Sequence, residues 1–541
     1  GGSGGLAGGG GSGGLAGGGG SGGSGGGVPA SRSCTYPGIP HPTDMLPSGI
    51  MPTLPTPASA AGFPYDPCSL EAPSPGDGVN AWIVASTGDD ATAGNGGQGT
   101  MAAPRRTIPV GTFAAGTTLF ILGDSSPYGT VDFDVGDDAD WQFTCTDTAP
   151  CWVVGVDTPR LGRRINIHDS THLLIDGLSV VDTPGGSRPW GNLRFADSQY
   201  ITLRNTEVRG DGTNSSGGSA VSMSNVQHMV TFRASIHSVG SWNSNATGLD
   251  VHGWRPAYEN RYLWLLDSEL YHLQADGVQT GNSSNPNPQS ATSHYIYIGG
   301  NLFYENYENA VDNKNSYHVI LSSNDVHDHY AAPDGGGANS TSIILSNNSE
   351  GPWTGYHWAI NNRIWNTGLG IRDSGSEVDE RNFMVGNVVW NADTAFIQAN
   401  NAQGRQLWVI NNSASGSTTA FDVFQPGSGA SAYVRRNVFH DAGTLDTMTD
   451  THSELVDNVL FGTTSEGQWD LDDGNESGDP LLASPADGDM TPGAGSVAID
   501  ATEEDPVYGL FTTLYGLDIR TDRAGTARPQ GAWDIGAIEA W

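Results

Sequence analysis

The sequence predicts an all-β chain: a single-stranded right-handed parallel β-helix, a solenoid with N-terminal and C-terminal caps. Three observations carry this. First, segments between residues 161 and 465 repeat one pattern: an alternating apolar strand, a polar kink and a second apolar pair. Examples are HLLIDGLSVVD from His172, YITLRNTEVRG from Tyr200 and YIYIGGNLFYE from Tyr295. Second, the kink residues recur along the chain: Leu178, Thr206, Ala234, Ser268, Asn301, Asn324, Asn362, Asn387, Asn412, Asn437 and Asn458. Their spacings run from 21 (Asn437 to Asn458) to 38 (Asn324 to Asn362). A period of roughly 20–40 residues marks stacked coils, whereas four-stranded propeller blades need a longer and more even repeat. Third, only 15% of residues are charged, and glycine alone numbers 77. That composition suits short strands joined by tight turns and disfavours helices.

Taken in order, residues 1–27 are GGSGGLAGGGG-type repeats with no core-forming residues, a flexible tether. Residues 28–78 form a proline-rich arm that is neither helix nor central strand. Residues 79–160 begin the folded body, with strands at NAWIVA from Asn80 and TLFIL from Thr118. Residues 161–465 carry the coils, and residues 466–541 close the body. One coil cannot bury its inward residues, but stacked coils pair strands about 4.8 Å apart and bury a continuous apolar column. The seven consecutive asparagines from Asn301 to Asn458 read as a structural ladder, their amides bonding coil to coil. Asparagine also tolerates left-handed backbone at the kink itself.

The four cysteines, Cys34, Cys68, Cys145 and Cys151, lack zinc-type spacing. Of three connectivities, pairing of sequence neighbours, Cys34–Cys68 and Cys145–Cys151, is the natural one. Two disulfides imply an oxidising compartment, so a secreted or cell-surface protein is expected. No run of apolar residues is long enough to span a bilayer. The formal net charge of -36 repels nucleic acid and anionic membranes. An acidic polymer would need a local positive site or a bridging cation.

Chemistry points to the middle coils. Lys314 is the sole lysine of the chain, within ENAVDNKNSYHVILSSNDVHDHY, residues 308–330. There a strand (Ala310 to Asn315), a turn at Ser316-Tyr317 and a second strand (His318 to Ser322) are expected. Aligning the strand beside each kink strand puts Arg194, Ser222, Asp250, Gln279, Asp312, Arg372, Ile397 and Asp422 in one column, with the coil near residues 331–350 unplaced. His252 and Lys314 lie two residues beyond Asp250 and Asp312, and Asp276 is at a nearby corner. A polar patch confined to central coils suits a groove for a polysaccharide. β-Elimination of a uronic acid polymer needs a base, positive charge to neutralise the carboxylate, and an acid for the leaving oxygen. Lys314 is the expected base, with Arg372 or His252 assisting. Gln279, Asp276, His327 and His329 are expected substrate contacts. Asp250 and Asp312 are expected ligands of a Ca²⁺ ion, the one cofactor this reading allows. Trp242, Trp254, Trp353, Trp358 and Trp365 are candidates for sugar stacking, or for core. Asp250, Asp276 and Asp312 also suit a hydrolase. From another class altogether, the glycine-rich and proline-rich residues 1–78 fit self-association in a non-catalytic fibre or adhesion protein.

Three stretches carry a resemblance. Gly99-Thr100 with Pro104-Arg105-Arg106-Thr107-Ile108 resembles the opening of secreted parallel β-helix proteins. Asp479-Pro480, Ala498-Ile499-Asp500, Arg528-Pro529 and Asp534-Ile535-Gly536-Ala537 resemble their closing turn. Asp312-Asn313-Lys314-Asn315-Ser316 is similar to the Asn-Lys-Ser segment of alginate and chondroitin lyases. Together they resemble the pectate-lyase-like superfamily, which implies a β-helix with a lysine base on one face and an arginine about one coil away. Here His327, Asp328 and His329 intervene before Arg363 and Arg372. The closing segment implies a cap in which Arg and Asp pair to seal the last coil's edge.

Overall fold

Alternation of apolar side chains decides the architecture, because inward residues of a strand find apolar partners only on the coils above and below. The computed structural model describes residues 71–76, 78, 80–123, 133–134, 139–162, 164–181, 191–210, 218–240, 251–281, 292–329, 341–346, 355–375, 380–399, 404–424, 429–446, 452–465 and 469–540. Within them, 38 strands join one continuous sheet. Its strand pairings are parallel, as in Leu263–Ile296 and Ile296–Val319. This is the expected parallel β-helix. Residues 1–70, with the Cys34–Cys68 pairing, lie outside the described residues. Cys145 and Cys151 are joined as expected.

Each coil contributes three strands. In one coil these are Ser293–Gly299, Leu302–Tyr304 and Val311–Asn313, and in the next Ser316–Ser322, Asp325–His329 and Thr341–Ser346. They stack into three ladders. The third ladder brings Leu193, Val221, Trp254, Val278, Val311, Ile343, Ile371 and Phe396 into one inward column. All of these belong to the main apolar core.

The kink residues form the ladder that was expected. From Asn324 on, each Asn side-chain oxygen accepts from the preceding asparagine, as in Asn362 Nδ2 to Asn387 Oδ1 at 2.9 Å and Asn387 Nδ2 to Asn412 Oδ1 at 2.9 Å. The same oxygens accept the backbone N–H of the preceding kink residue, Asn362 N to Asn387 Oδ1 at 3.0 Å. The ladder runs one step further than expected, to Asn475. One detail differs. The left-handed residue is the one before each ladder position: Asp267, Ser323, Asn361, Asn411, Arg436 and Asp457, with glycine at 300, 386 and 474. The ladder asparagines serve as inward amides, and their neighbours make the bend. A second regularity escaped the sequence reading. His172, Tyr200, His228, Tyr262, Tyr295, His318 and Tyr356 all have positive φ. Their rings stack from coil to coil at 4.6 to 5.3 Å.

The C-terminal residues pack on the late coils, with Ala498 and Ile535 against Val438 and Val459, and also run back along earlier ones. Pro506–Tyr515 is a helix, against the expectation of turns and strands only. Asp505 caps it by accepting from Val507 N, and Gly516 ends it in left-handed geometry. Its Val507, Tyr508, Phe511 and Tyr515 pack on the outer side of the first ladder, on Tyr297, Ile320, Trp358, Phe383 and Ile410. Tyr515 O–H lies 2.8 Å from His318 Nδ1, and Arg523 Nη2 donates to Asp325 Oδ1 at 2.8 Å, both far back along the chain. The apolar outer face of those coils is what the helix covers. Arg–acid pairing is present, as Arg436–Asp505 at 2.5 Å and Arg528–Glu539 at 3.5 Å.

Asn387→Ala leaves two buried donors of Asn362 without an acceptor, and is expected to cost about 2–4 kcal/mol in urea unfolding. Acid is expected to destabilise the fold through its buried imidazoles. Burial pushes His329 down to about 4 and His318 down to about 3 from the ordinary 6.5. Between those values and 6.5 the unfolded chain binds the extra protons. Stability is therefore full above 6.5 and falls as pH drops toward 4 and 3, by up to about 1.4 kcal/mol per pH unit for each group. His318→Phe should flatten that slope, read as thermal midpoint against pH.

Candidate functional site

The residue after each inward position of the third ladder points outward. Register places Arg194, Ser222 and Arg255 on consecutive coils. Pairing of Trp254 with Val278 sets Arg255 beside Gln279. Asp312, Ile344, Arg372, Ile397 and Asp422 follow. The expected column is therefore present with two corrections. Arg255, not Asp250, stands between Ser222 and Gln279, because Trp254 is the inward residue of Val251–Tyr258. Asp250 lies outside the described residues. The coil left unplaced is Thr341–Ser346, with Ile344 in the column.

The Lys314 segment also turns differently. Asn315 takes the left-handed bend and Ser316 already belongs to the next strand. Lys314 thus occupies the corner after Asp312. Gly281 permits this: a Cβ there would lie 1.5 Å from the Lys314 carbonyl oxygen, and its φ is +69°. Lys314 Nζ sits 2.9 Å from Asp312 Oδ2, with the lysine side chain 20% exposed and the aspartate 3%. Below them, Asp276 is fully buried and held on three sides. His252 Nδ1 is 3.1 Å from Asp276 Oδ2, Gln279 Nε2 donates to the same oxygen at 3.3 Å, and Asn309 Nδ2 donates to Oδ1 at 2.7 Å. Asn309 and Arg255 were not singled out from sequence. The rule used there, a polar residue after a large apolar one, finds Arg255 once Trp254 is taken as the anchor.

Electrostatics divide the cluster into charged and neutral members. Burial acts to lower the Lys314 pKa, but Asp312, Asp276 and Glu308 outweigh it and hold the ammonium above the ordinary lysine value. Burial acts to raise Asp276, yet His252, Lys314 and Asn309 hold it below the ordinary carboxylate value. His252 is pushed down, first by burial and then by Arg255 and Lys314, against the pull of Asp276. Arg372 is lowered by burial and supported by Asp312 and Asp373. A guanidinium stays charged regardless. Its strand end is anchored by Asp373, which pairs with the fully buried Arg405 and, through it, with Glu380.

The remaining expected contacts are elsewhere. His327 stacks between Tyr304 at 5.3 Å and Trp365 at 4.5 Å on the second ladder and pairs with Asp328. His329 is wholly buried, its Nε2 3.5 Å from Asn306 Nδ2, so it does not line a groove. Alternation on one strand explains both, since residues two apart share its direction only until the corner. Trp254 and Trp358 are core, Trp365 belongs to the second-ladder stack, and Trp242 and Trp353 lie outside the described residues. Of the two expected Ca²⁺ ligands, Asp250 lies outside the described residues. Asp312 is taken by the Lys314 ammonium and Asp276 by three other side chains. Among the described residues no group of three or more His, Cys, Asp or Glu is placed to hold a metal ion.

No protein-family model matches the chain. No curated protein matches it. Among solved structures it is similar to pectate lyase Pel9A, with 13% identity, TM-score 0.43, and coverage of 85% of this chain and 96% of that one. It is also similar to a GH136 lacto-N-biosidase from Eubacterium ramulus, with 12% identity, TM-score 0.43, and coverage of 73% and 67%. A PL6 family polysaccharide lyase from Pseudopedobacter saltans shows 12% identity, TM-score 0.42, and coverage of 68% and 90%.

Asp276→Asn removes the charge that favours imidazolium at His252. The His252 pKa, followed by NMR titration of the ring protons, is expected to fall further below 6.5.

Proposed function

We propose that this chain is a carbohydrate-active β-helix that binds an acidic polysaccharide along the third ladder and cleaves it by β-elimination. The observation that carries the reading is the convergence of Lys314, Asp312, Asp276, His252 and Arg372 on the middle coils. Around them the chain is strongly acidic, at -36. Arg372 and Lys314 supply the local positive charge that a uronate carboxylate requires.

Ionisation assigns the proton roles. Lys314, the expected base, is held charged beside two aspartates, so it suits donation and not acceptance. His252 is neutral and its Nδ1 faces the ionised Asp276, an arrangement that keeps the proton on Nδ1 and a lone pair on Nε2. In this reading Nε2 takes the proton alpha to the uronate carboxylate. The C–H electron pair becomes the new carbon–carbon double bond, and the glycosidic C–O bond at the beta carbon breaks. The Lys314 ammonium protonates the leaving oxygen. A hydrolase needs a carboxyl kept protonated as acid, and Asp276 is held the other way. The Cys145–Cys151 disulfide supports secretion. No helix among the described residues is long and apolar enough to cross a membrane.

Mixing the protein with pectate, alginate, chondroitin or ulvan is expected to release product with the ultraviolet absorbance of an unsaturated uronate. Lys314→Ala and His252→Ala should each lower kcat by about 100-fold or more. His252 is 2% exposed, so its role as base requires the site to open around it. His252→Ala separates the cases, since loss of a base removes the acidic limb of the kcat/KM profile, while loss of a structural imidazole shifts only the thermal midpoint. Absence of absorbing product from every polymer, or full activity in Lys314→Ala, sinks the lyase reading and leaves a non-catalytic surface protein.

A further inference from the structure

The middle coils are polar on their inner side as well. On the first ladder one inward column runs through Leu263, Ile296 and Val319 and continues in Leu407 and Ala432, all part of the apolar core. Between Val319 and Leu407 the same column holds His357 and Asn382. On the third ladder the second inward residue is Phe195 and then Met223 on earlier coils. On the middle coils it becomes Thr280, Asn313, Asp373 and Gln398. His357, Asn382, Thr280, Asn313 and Asp373 are each at most 1% exposed.

These groups are bonded into one chain. Thr280 Oγ1 donates to Asn313 Oδ1 at 2.9 Å and lies 2.8 Å from Ser316 Oγ. Ser316 Oγ is 3.3 Å from His357 Nε2, and His357 Nδ1 is 3.0 Å from Asn382 Oδ1. Asn382 Nδ2 donates to Asp373 Oδ1 at 2.9 Å and to Glu380 Oε1 at 3.0 Å. Arg405 closes the far end by donating to those two carboxylates. Both ends of the chain adjoin the site. Asn313 stands between Asp312 and Lys314 in the sequence, and Asp373 follows Arg372.

Burying charge costs desolvation, and well-packed apolar side chains in place of a buried ion cluster often leave stability equal or higher. The coils on either side show that apolar residues fit these columns. In return, a satisfied polar network holds one arrangement of its members, because a hydrogen bond fixes direction as well as distance. Resting on the lyase reading above, we infer that Thr280, His357, Asn382 and Arg405 are positioning residues. Through Asn313 and Asp373 they fix the strand ends that carry Lys314 and Arg372. They lie inside the coils and act on substrate only through those two cations.

The test uses the full chain. Lys314 is its sole lysine, so reductive methylation with isotope-labelled formaldehyde gives one side-chain NMR signal besides that of the amino terminus. One variant replaces the ion cluster by apolar residues all at once (His357→Val, Asp373→Leu, Glu380→Leu, Asn382→Leu, Arg405→Met), so that no buried charge is left unpaired. A second, Thr280→Val, breaks only the link to Asn313 with a side chain of the same shape, and decides the matter if the first does not fold. The first is expected to keep or raise the thermal midpoint. Both are expected to move the Lys314 signal and to lower kcat about 10- to 100-fold. Thr280→Ser, which keeps the hydroxyl, is expected to hold both near those of the unaltered chain. A Lys314 signal unmoved in a folded variant overturns the positioning role and leaves the lyase reading standing if the unaltered chain cleaves a polymer. A moved signal in a chain that cleaves no polymer overturns the lyase reading and keeps the positioning of Lys314. An unmoved signal and no cleavage overturn both.

Discussion

Register between stacked coils is the constraint on which everything else rests. A parallel strand slipped by one residue would turn its inward column out to water and its outward column into the core. The buried asparagine ladder opposes such a slip. Each amide bonds both the backbone N–H and the amide of a neighbouring kink residue, and also donates to a strand carbonyl, as Asn387 Nδ2 does to Ala359 O at 2.9 Å. A slip would orphan these groups in a dry interior, where each unmade bond costs about 1–3 kcal/mol. The ring stacks at the corners add a second reference with a different chemistry. Because register is held at these points, coils with loops of quite different length between their strands still present equivalent residues at equal height.

That regularity is what lets a chain with little positive charge gather ionisable groups of both signs on its middle coils. Many of its arginines are spent inside ion pairs: Arg204 on Asp176, Arg405 on Asp373 and Glu380, Arg363 and Arg523 on Asp325. These pairs join different coils, or a coil to the C-terminal segment. The outward column is the other use. Around Lys314 the same physics runs in reverse, since two aspartates sit close enough to keep a half-buried ammonium charged. In this cluster Asp276 is held ionised and Lys314 charged beside a His252 whose pKa burial pushes down.

The fold was legible in the sequence because a solenoid repeats its decision at every coil. The alternating segments and the run of Asn301 to Asn458 report the same local rule many times, so errors at one coil do not propagate. The outward column from Gln279 through Asp312 to Arg372 was legible for the same reason. What failed were the singular places. On Val251–Tyr258 the inward anchor is Trp254, so Arg255 was missed in favour of Asp250. His327 and His329 lie on a strand that ends at a corner, and their directions follow stacking on Tyr304 and burial beside Asn306. The helix Pro506–Tyr515 is a single amphipathic element with no repeat to announce it.

By itself, then, the sequence determined the winding of the chain, its internal amide ladder and the coils on which ionisable residues gather, since these follow from local periodicity alone. Tertiary structure decided which of those residues meet, that Lys314 rests charged on Asp312, and that the C-terminal segment also covers the outer side of the first ladder. These depend on distances between coils and on desolvation by distant parts of the chain, quantities that no local pattern encodes.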